Sequence, residues 1–317
     1  MQPKIGVLLP TRELAMIGSY EMAPLLSFAE QAEAAGYDSV WTGDSLMARP
    51  RLDPFIVLAG VAAVTSRITL GTAACTAVLR QPVIGANLVA SLDQASGGRL
   101  VLGLGAGFPV PETAQEFAAV GVPFAERVGR LDETVTVWRQ AWCSKHDSAQ
   151  ASYRGRYWEL DNLDRLPPPI GPGGPKLWLA SGDTPRVLDR VARLYDGWLP
   201  FLPSPDAYAQ AWCRIVELAG EHGRSADEIT PGIYATIAVN DNRERARAEL
   251  ENYLKHYYGR PLEVMSTIQA YCYGTVEECV EWLAKYVRSG ARHIVVRIAS
   301  LGSDLPLKEI IEAARQM

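Results

Sequence analysis

The sequence predicts an α/β protein built as a single (β/α)8 barrel, a TIM barrel carrying insertions, over residues 1–317. Eight short apolar runs recur along the chain, each bounded by turn residues. A pattern of helical period follows each run, the alternation that lays parallel strands side by side. The runs are apolar throughout rather than at every second residue, as strands buried on both faces are. Eight such units close a barrel. With 317 residues, 48% of them hydrophobic, the chain can fill one large core.

The first run, residues 5–9, is stopped by Pro10. An Ala-rich helix over 27–35 ends at Gly36 and leads into the second run, 39–42. The third and fourth runs are 68–76 and 100–105. After them Val128, Leu131, Val135, Trp138 and Trp142 recur at helical spacing. The fifth run, 176–180, enters a helix for which Thr184 is a candidate N-cap and Pro185 the first helical residue. The sixth and seventh are 198–201 and 233–239. Thr275 and Glu278 form a capping box for a helix carrying Val276, Cys279, Val280 and Leu283, and Gly290 ends it before the eighth run, 293–298.

Two segments exceed the usual short connections. Residues 144–175 hold an aromatic patch from Tyr153 to Trp158 and a Pro/Gly-rich end, and residues 241–269 hold a charged helix ending in Tyr257-Tyr258-Gly259. Both fit lids over the barrel mouth, and both fit oligomer contacts. A homodimer is the default assembly.

Composition excludes several classes of function. The net charge of −5 comes from mixed charges without long runs of one sign, against a nucleic-acid surface or a polybasic membrane anchor. No stretch approaches the roughly 20 apolar residues of a membrane span, and the run at 5–9 is too short for a signal-peptide core. The expectation is a cytoplasmic enzyme acting on a small molecule. Five scattered cysteines without a CxxC pair, and four scattered histidines, predict neither a disulfide framework nor a metal site.

In such a barrel the reactive face is built from the carboxyl ends of the strands. Lys4, Lys176 and His293 sit at strand beginnings, away from that face. The residues just after the runs are mostly small: Gly43-Asp44-Ser45 after the second, Ala73-Ala74 within the third, and Gly105-Ala106-Gly107-Phe108 after the fourth. Such residues leave room for a flat ligand to lie close to backbone. The Gly103-x-Gly105-x-Gly107 spacing lacks the rest of a dinucleotide fingerprint. After the fifth run, Ser181, Gly182, Asp183 and Thr184 combine a hydroxyl, turn N–H groups and a helix start that carries roughly half a positive charge. That combination suits a phosphate.

Four segments together resemble the luciferase-like family of flavin- and deazaflavin-dependent oxidoreductases, over almost the full chain. They are residues 36–44 (GYDSVWTGD), 67–74 (RITLGTAA), 92–107 (LDQASGGRLVLGLGAG), and the 181–186 turn with Asp196-Gly197-Trp198 beyond its helix. The resemblance implies a barrel that binds coenzyme F420 or, alternatively, FMN at the carboxyl-end face. It also implies a non-prolyl cis peptide at Ala73-Ala74 behind the ring, and phosphate contacts at the 181–184 turn. Three departures bear on function. Ser45 follows Asp44 where many members carry a histidine, which removes a general base and argues against sugar-phosphate dehydrogenation. Phe108 stands where some deazaflavin enzymes have a glutamate. Ala106 replaces the arginine that holds the flavin phosphate in bacterial luciferases, which tilts the reading towards F420.

Asp44 is then the candidate for proton transfer, or for hydrogen bonding the ring's polar edge, and Arg12 and Arg297 are candidates for an anionic substrate or the cofactor tail. Trp41, Phe108, Trp158, Trp178 and Phe201 are candidate stacking surfaces. The expected activity is hydride transfer between F420 and a small organic substrate. An FMN-dependent monooxygenase using O2 and a non-catalytic flavin-binding barrel stand as alternatives.

Overall fold

A computed structural model describes residues 2–143, 151–302 and 305–317. Its first half runs β1 (Lys4–Leu8), α1 (Thr11–Met16), α2 (Ala23–Ala35), β2 (Ser39–Thr42), α3 (Pro54–Val64), β3 (Thr69–Cys75), α4 (Pro82–Ser96), β4 (Leu100–Leu104), α5 (Pro111–Ala119) and α6 (Arg127–Cys143). A small hairpin, β5 (Tyr153–Arg154) and β6 (Glu159–Leu160), precedes β7 (Lys176–Leu179), α7 (Pro185–Leu194), β8 (Gly197–Trp198) and α8 (Pro205–Glu221). The chain ends with β9 (Thr230–Val239), α9 (Arg243–Tyr258), α10 (Leu262–Met265), β10 (Ala270–Gly274), α11 (Val276–Arg288), β11 (His293–Ile298) and α12 (Leu307–Ala314).

The strands β1, β2, β3, β4, β7, β8, β9 and β11 pair in that order, all parallel, and β11 returns to β1 to close the ring. This is the (β/α)8 barrel that the alternating pattern predicts. Each predicted run carries a ring strand, with ends shifted by up to three residues. One strand escaped the pattern. β10 pairs parallel with Ala235 to Val239 of β9, along the stretch beyond the Thr230 and Pro231 contacts with β8. Its sequence Ala-Tyr-Cys-Tyr-Gly is short and polar at alternate positions, and only β9 supports it, so no strong period marked it. Among the described residues no helix is long and apolar enough to cross a membrane.

The barrel interior explains several glycines. Trp41 and Trp178 point inward and are buried, with ring centroids 5.4 Å apart. A Cβ on Gly71 would lie 2.3 Å from Trp41 Cε3, one on Gly6 2.5 Å from Trp41 Nε1, and one on Gly197 2.5 Å from Trp178 Cδ1. Two indoles fit inside an eight-stranded ring because the strands facing them carry no side chain. These tryptophans are the floor of the mouth rather than a stacking surface at its rim. His293 meets both rings edge-on at its end of β11, with centroids 5.5 and 5.1 Å away. Trp41 Nε1 donates to Ser39 Oγ at 2.7 Å, and Ser39 Oγ lies 2.7 Å from His293 Nε2. Burial, and then the charge of Lys4, lowers the imidazole pKa to about 3, so the ring is neutral.

The capping signals are placed as expected. Gly36 ends α2 at φ 96°, and Thr275 with Glu278 closes a capping box on α11. The two insertions differ from each other. Residues 144–150, where the first begins, lie outside the described residues. The remainder runs along α6 towards the amino ends of the strands: Arg130 lies over the rings of Tyr157 and Trp158 at 4.7 and 5.3 Å, and Ile170 N donates to Asp93 Oδ2 at 2.8 Å. That course packs the aromatic patch on α6, with Trp158 against Arg130 in the first turns of that helix. Its aromatic side chains find partners on α6, a contact no local period shows. The second insertion supplies α9 and does stand over the mouth.

Candidate functional site

The β3 exit carries the first wall of the mouth. Pairing with β4 slips between Thr72 and Cys75, and the Ala73-Ala74 peptide is cis, as the resemblance implied. Gly105 N donates to Cys75 O at 2.9 Å, which draws the β4 exit against this bulge. A Cβ on Gly105 would stand 3.3 Å from Ala74 Cβ, and one on Gly43 only 2.3 Å from Arg51 Nη1. Gly107 turns the chain at φ 81°, where a Cβ would fall 2.8 Å from Thr113 Cγ2. Gly43, Ala73, Ala74, Gly105 and Ala106 thus form a ledge with nothing larger than a methyl group. Phe108 follows it, 39% exposed, with its ring 5.5 Å from that of Phe201.

The second component follows β7. Ala180 N donates to Leu104 O at 2.8 Å, which sets the β7 exit beside the β4 exit, and Trp198 Nε1 donates to Gly182 O at 3.2 Å. Thr184 occupies the N-cap position of α7 with Pro185 after it, and its side chain makes no capping hydrogen bond. Ser181 and Gly182 are half-buried; Asp183 and Thr184 are exposed. The hydroxyl, the turn N–H groups and the positive end of α7 thus lie together at the β7 exit, next to the ledge. Arg186, exposed in the first turn of α7, adds a cation that the sequence reading passed over.

Asp44 stands apart from the mouth's open surface. Its side chain is 2% exposed, accepts from Thr76 N at 2.9 Å and pairs with Arg80 at 2.7 Å, while Arg80 also reaches Asp53 at 2.7 Å. The pair joins the loops after β2 and β3. Ser45, at the position where relatives carry an imidazole, donates to Glu116 Oε1 at 2.9 Å and accepts from Arg49 N at 2.8 Å. Glu116 is itself buried and also takes the N–H groups of Leu46 and Met47, so the polar groups of this loop serve the loop. Leu46 and Met47 are left on the rim, 45% and 50% exposed.

The opposite wall is cationic and aromatic. Arg297, on β11 one inward position above Val295, is 1% exposed. Its Nε donates to Thr236 Oγ1 at 3.0 Å and its Nη1 to Tyr258 OH at 2.9 Å, whereas Nη2 makes no hydrogen bond. The guanidinium lies between the rings of Tyr234, Tyr253, Tyr257 and Tyr258, with centroids 4.6 to 5.5 Å away. Arg49 covers Tyr258 at 4.9 Å, Arg51 Nη2 donates to Tyr257 OH at 3.3 Å, and Arg12 Nη1 donates to Pro50 O at 3.2 Å. Glu13 is the carboxylate of this group, bonded by the Tyr253 hydroxyl. Burial and the charge of Arg51 lower the pKa of Arg12. Four guanidiniums against one carboxylate make this wall attractive to anions and to carbonyl oxygens.

Arg12 and Arg297 are joined in this wall by Arg49, Arg51 and Tyr234, for which the sequence carries no local signal. Tyr257 and Tyr258 end the charged helix that the sequence places in the second insertion, but what they face depends on the tertiary fold. Among the described residues no group of three or more His, Cys, Asp or Glu side chains is placed to hold a metal ion.

Comparison with known proteins agrees with this fold. The family described as luciferase-like monooxygenase matches residues 3–293. A phthiodiolone/phenolphthiodiolone dimycocerosates ketoreductase of Mycobacterium tuberculosis is 29% identical over 254 residues, 72% of this chain and 64% of that protein. An F420-dependent glucose-6-phosphate dehydrogenase of Kineococcus radiotolerans is 34% identical over 187 residues, 55% of this chain and 51% of that protein. The chain thus spans less than two thirds of the curated relatives it matches. Among solved structures, an F420-dependent secondary alcohol dehydrogenase with an F420-acetone adduct superposes with a TM-score of 0.81 at 19% identity, covering 99% of this chain and 98% of that one. A monooxygenase from Streptomyces bottropensis superposes with a TM-score of 0.80 at 21% identity, covering 98% and 96%. At these identities the superpositions speak for the fold.

Proposed function

This chain belongs to the luciferase-like monooxygenase family, and on that premise we propose that it transfers hydride between coenzyme F420 and a small carbonyl or secondary alcohol substrate. The carrying observation is the meeting, at one mouth, of the ledge at Ala73, Ala74 and Gly105 with the uncapped helix start at Thr184. A planar ring needs the former and a phosphorylated tail the latter, and the residues present suit both. When bound, the deazaflavin supplies or accepts the hydride. The chain supplies the rest. Ala73, Ala74, Gly105, Ala106 and Gly107 seat the ring, and Phe108 with Phe201 shields its edge from water. Ser181, Gly182, Asp183 and Thr184 take the tail through hydroxyl and backbone N–H groups. Asp44 acts through Arg80, fixing the loops that carry Gly43 and the β3 bulge, as a positioning residue. The cationic wall orients the substrate oxygen towards the ledge.

Arg186 favours a second reading. It gives a phosphate the charged partner that Ala106 withholds, and so keeps FMN with O2 chemistry as the alternative. Titrating the purified chain separately with F420 and with FMN, followed by absorbance, distinguishes the two. F420 binding the more tightly, with oxygen-independent oxidation of reduced F420 by ketones, is the expected result. Tighter FMN binding with oxygen consumption refutes the F420 assignment, and comparably weak binding of both removes either.

A further inference from the structure

We propose that the Tyr258 phenol is the proton carrier of this mouth, giving its proton to the oxygen of a substrate carbonyl while Arg297 holds the phenolate left behind. The inference rests on the reading of the chain as an F420-dependent carbonyl reductase and adds to it the residue that completes the reaction. The usual candidates are committed elsewhere. Asp44 is paired with Arg80, and Ser45 is tied to Glu116. Glu13 is bonded to Tyr253, and His293 lies at the amino end of β11, below the indole floor.

Tyr258 differs from its neighbours in what it touches. Its oxygen accepts from Arg297 Nη1 at 2.9 Å and donates to Gln269 Oε1 at 3.2 Å, an oxygen that Tyr271 also reaches at 2.7 Å. Arg49 stands over its ring and Tyr257 packs beside it with centroids 4.7 Å apart. The groups facing it from β11, β9, β10, α9 and the β2 loop are thus Arg297, Tyr234, Tyr271, Tyr257 and Arg49, and from α1 the cluster takes in the carboxylate of Glu13, which is bonded by Tyr253. Tyr258 is half-buried, whereas Tyr253 and Tyr257 are closed off. Through Tyr257 and Arg51 the group abuts Gly43, whose Cβ position is 3.8 Å from Ala73 O, so the phenol belongs to the wall that adjoins the ledge. Burial opposes ionisation of Tyr258, yet the charge and hydrogen bond of Arg297, with the charge of Arg49, outweigh it and hold the phenol below the ordinary tyrosine range. In Tyr234 and Tyr253 burial prevails and the phenols are pushed well up.

In the step itself the phenol O–H bond breaks and an O–H bond forms on the carbonyl oxygen. Hydride from the reduced deazaflavin forms the new C–H bond, so the C=O is reduced to a secondary alcohol and the cofactor is oxidised by two electrons. Solvent reprotonates the phenolate.

Two measurements test this. Tyrosinate absorbance of the cofactor-free chain against pH should show one phenol ionising before the rest, absent in Tyr258→Phe and delayed in Arg297→Lys. Oxidation of reduced F420 by a panel of short and cyclic ketones should fall about 10²-fold or more in Tyr258→Phe, with F420 affinity unchanged and the alkaline limb of the pH profile lost. Overlapping titration curves for wild type and Tyr258→Phe, or a variant as fast as wild type, overturn the proposal while leaving F420 chemistry in place. A wild-type chain that binds no F420, or oxidises it with no ketone, overturns the parent reading and this inference with it.

Discussion

The neutral imidazole buried against two indoles gives a sharp pH test of the barrel floor. His293 is 4% exposed, and its pKa is lowered from 6.5 to about 3, by burial first and Lys4 second. In the unfolded chain the ring regains its ordinary value, so between pH 6.5 and about 3 the unfolded state binds a proton that the folded state does not. Stability therefore holds above pH 6.5 and is lost as pH falls through this window. From pH 7 to pH 5 the loss attributable to His293 alone is about 2 kcal/mol, from about 1.4 kcal/mol per unit and per proton. Carboxylates contribute to the same slope, so the measurement is a difference. Urea unfolding by tryptophan fluorescence at pH 7 and pH 5 is compared for wild type and His293→Gln, whose amide keeps a partner for Ser39. The variant starts less stable, but its decline between the two pH values should be smaller by about 2 kcal/mol. Parallel declines would show that the folded ring is protonated or solvated, and the account of the floor would be wrong.

Three further outcomes follow from the mouth. Thr184→Glu places negative charge at the α7 start and should weaken F420 binding about tenfold or more; unchanged affinity moves the phosphate elsewhere. Ala106→Leu raises a branched side chain over the ledge and should cost about 1–3 kcal/mol of F420 affinity, with the melting temperature kept; full binding means the ring lies off the ledge. Asp44→Asn breaks a pair whose side chains are 11% and 2% exposed, and should cost about 3 kcal/mol of stability by calorimetry while F420 affinity survives. Lost affinity at unchanged stability would make Asp44 a ligand contact instead.

What could be read without coordinates was whatever is written locally. Eight apolar runs, the Gly36 stop and the Thr275 capping box depend on residues a few positions apart, and they placed the ring strands. The small residues from Ala73 to Gly107 and the Thr184-Pro185 start marked the ledge and the α7 helix start for the same reason. β10 escaped because one neighbour, not its own period, makes it a strand. The roles of Asp44, Trp41 and Trp178 were equally illegible, since an aspartate 36 residues from Arg80 and two indoles facing three glycines on other strands look, in one dimension, like any others. Arg297 was visible as a charge, but the tyrosine cage that keeps it buried comes from β9, α9 and the closure of β11 on β1. Local spacing sets which elements form and where they stop; which side chains share a dielectric, and so which are acids, partners or floor, is decided only when the ring closes and brings distant residues out of water together.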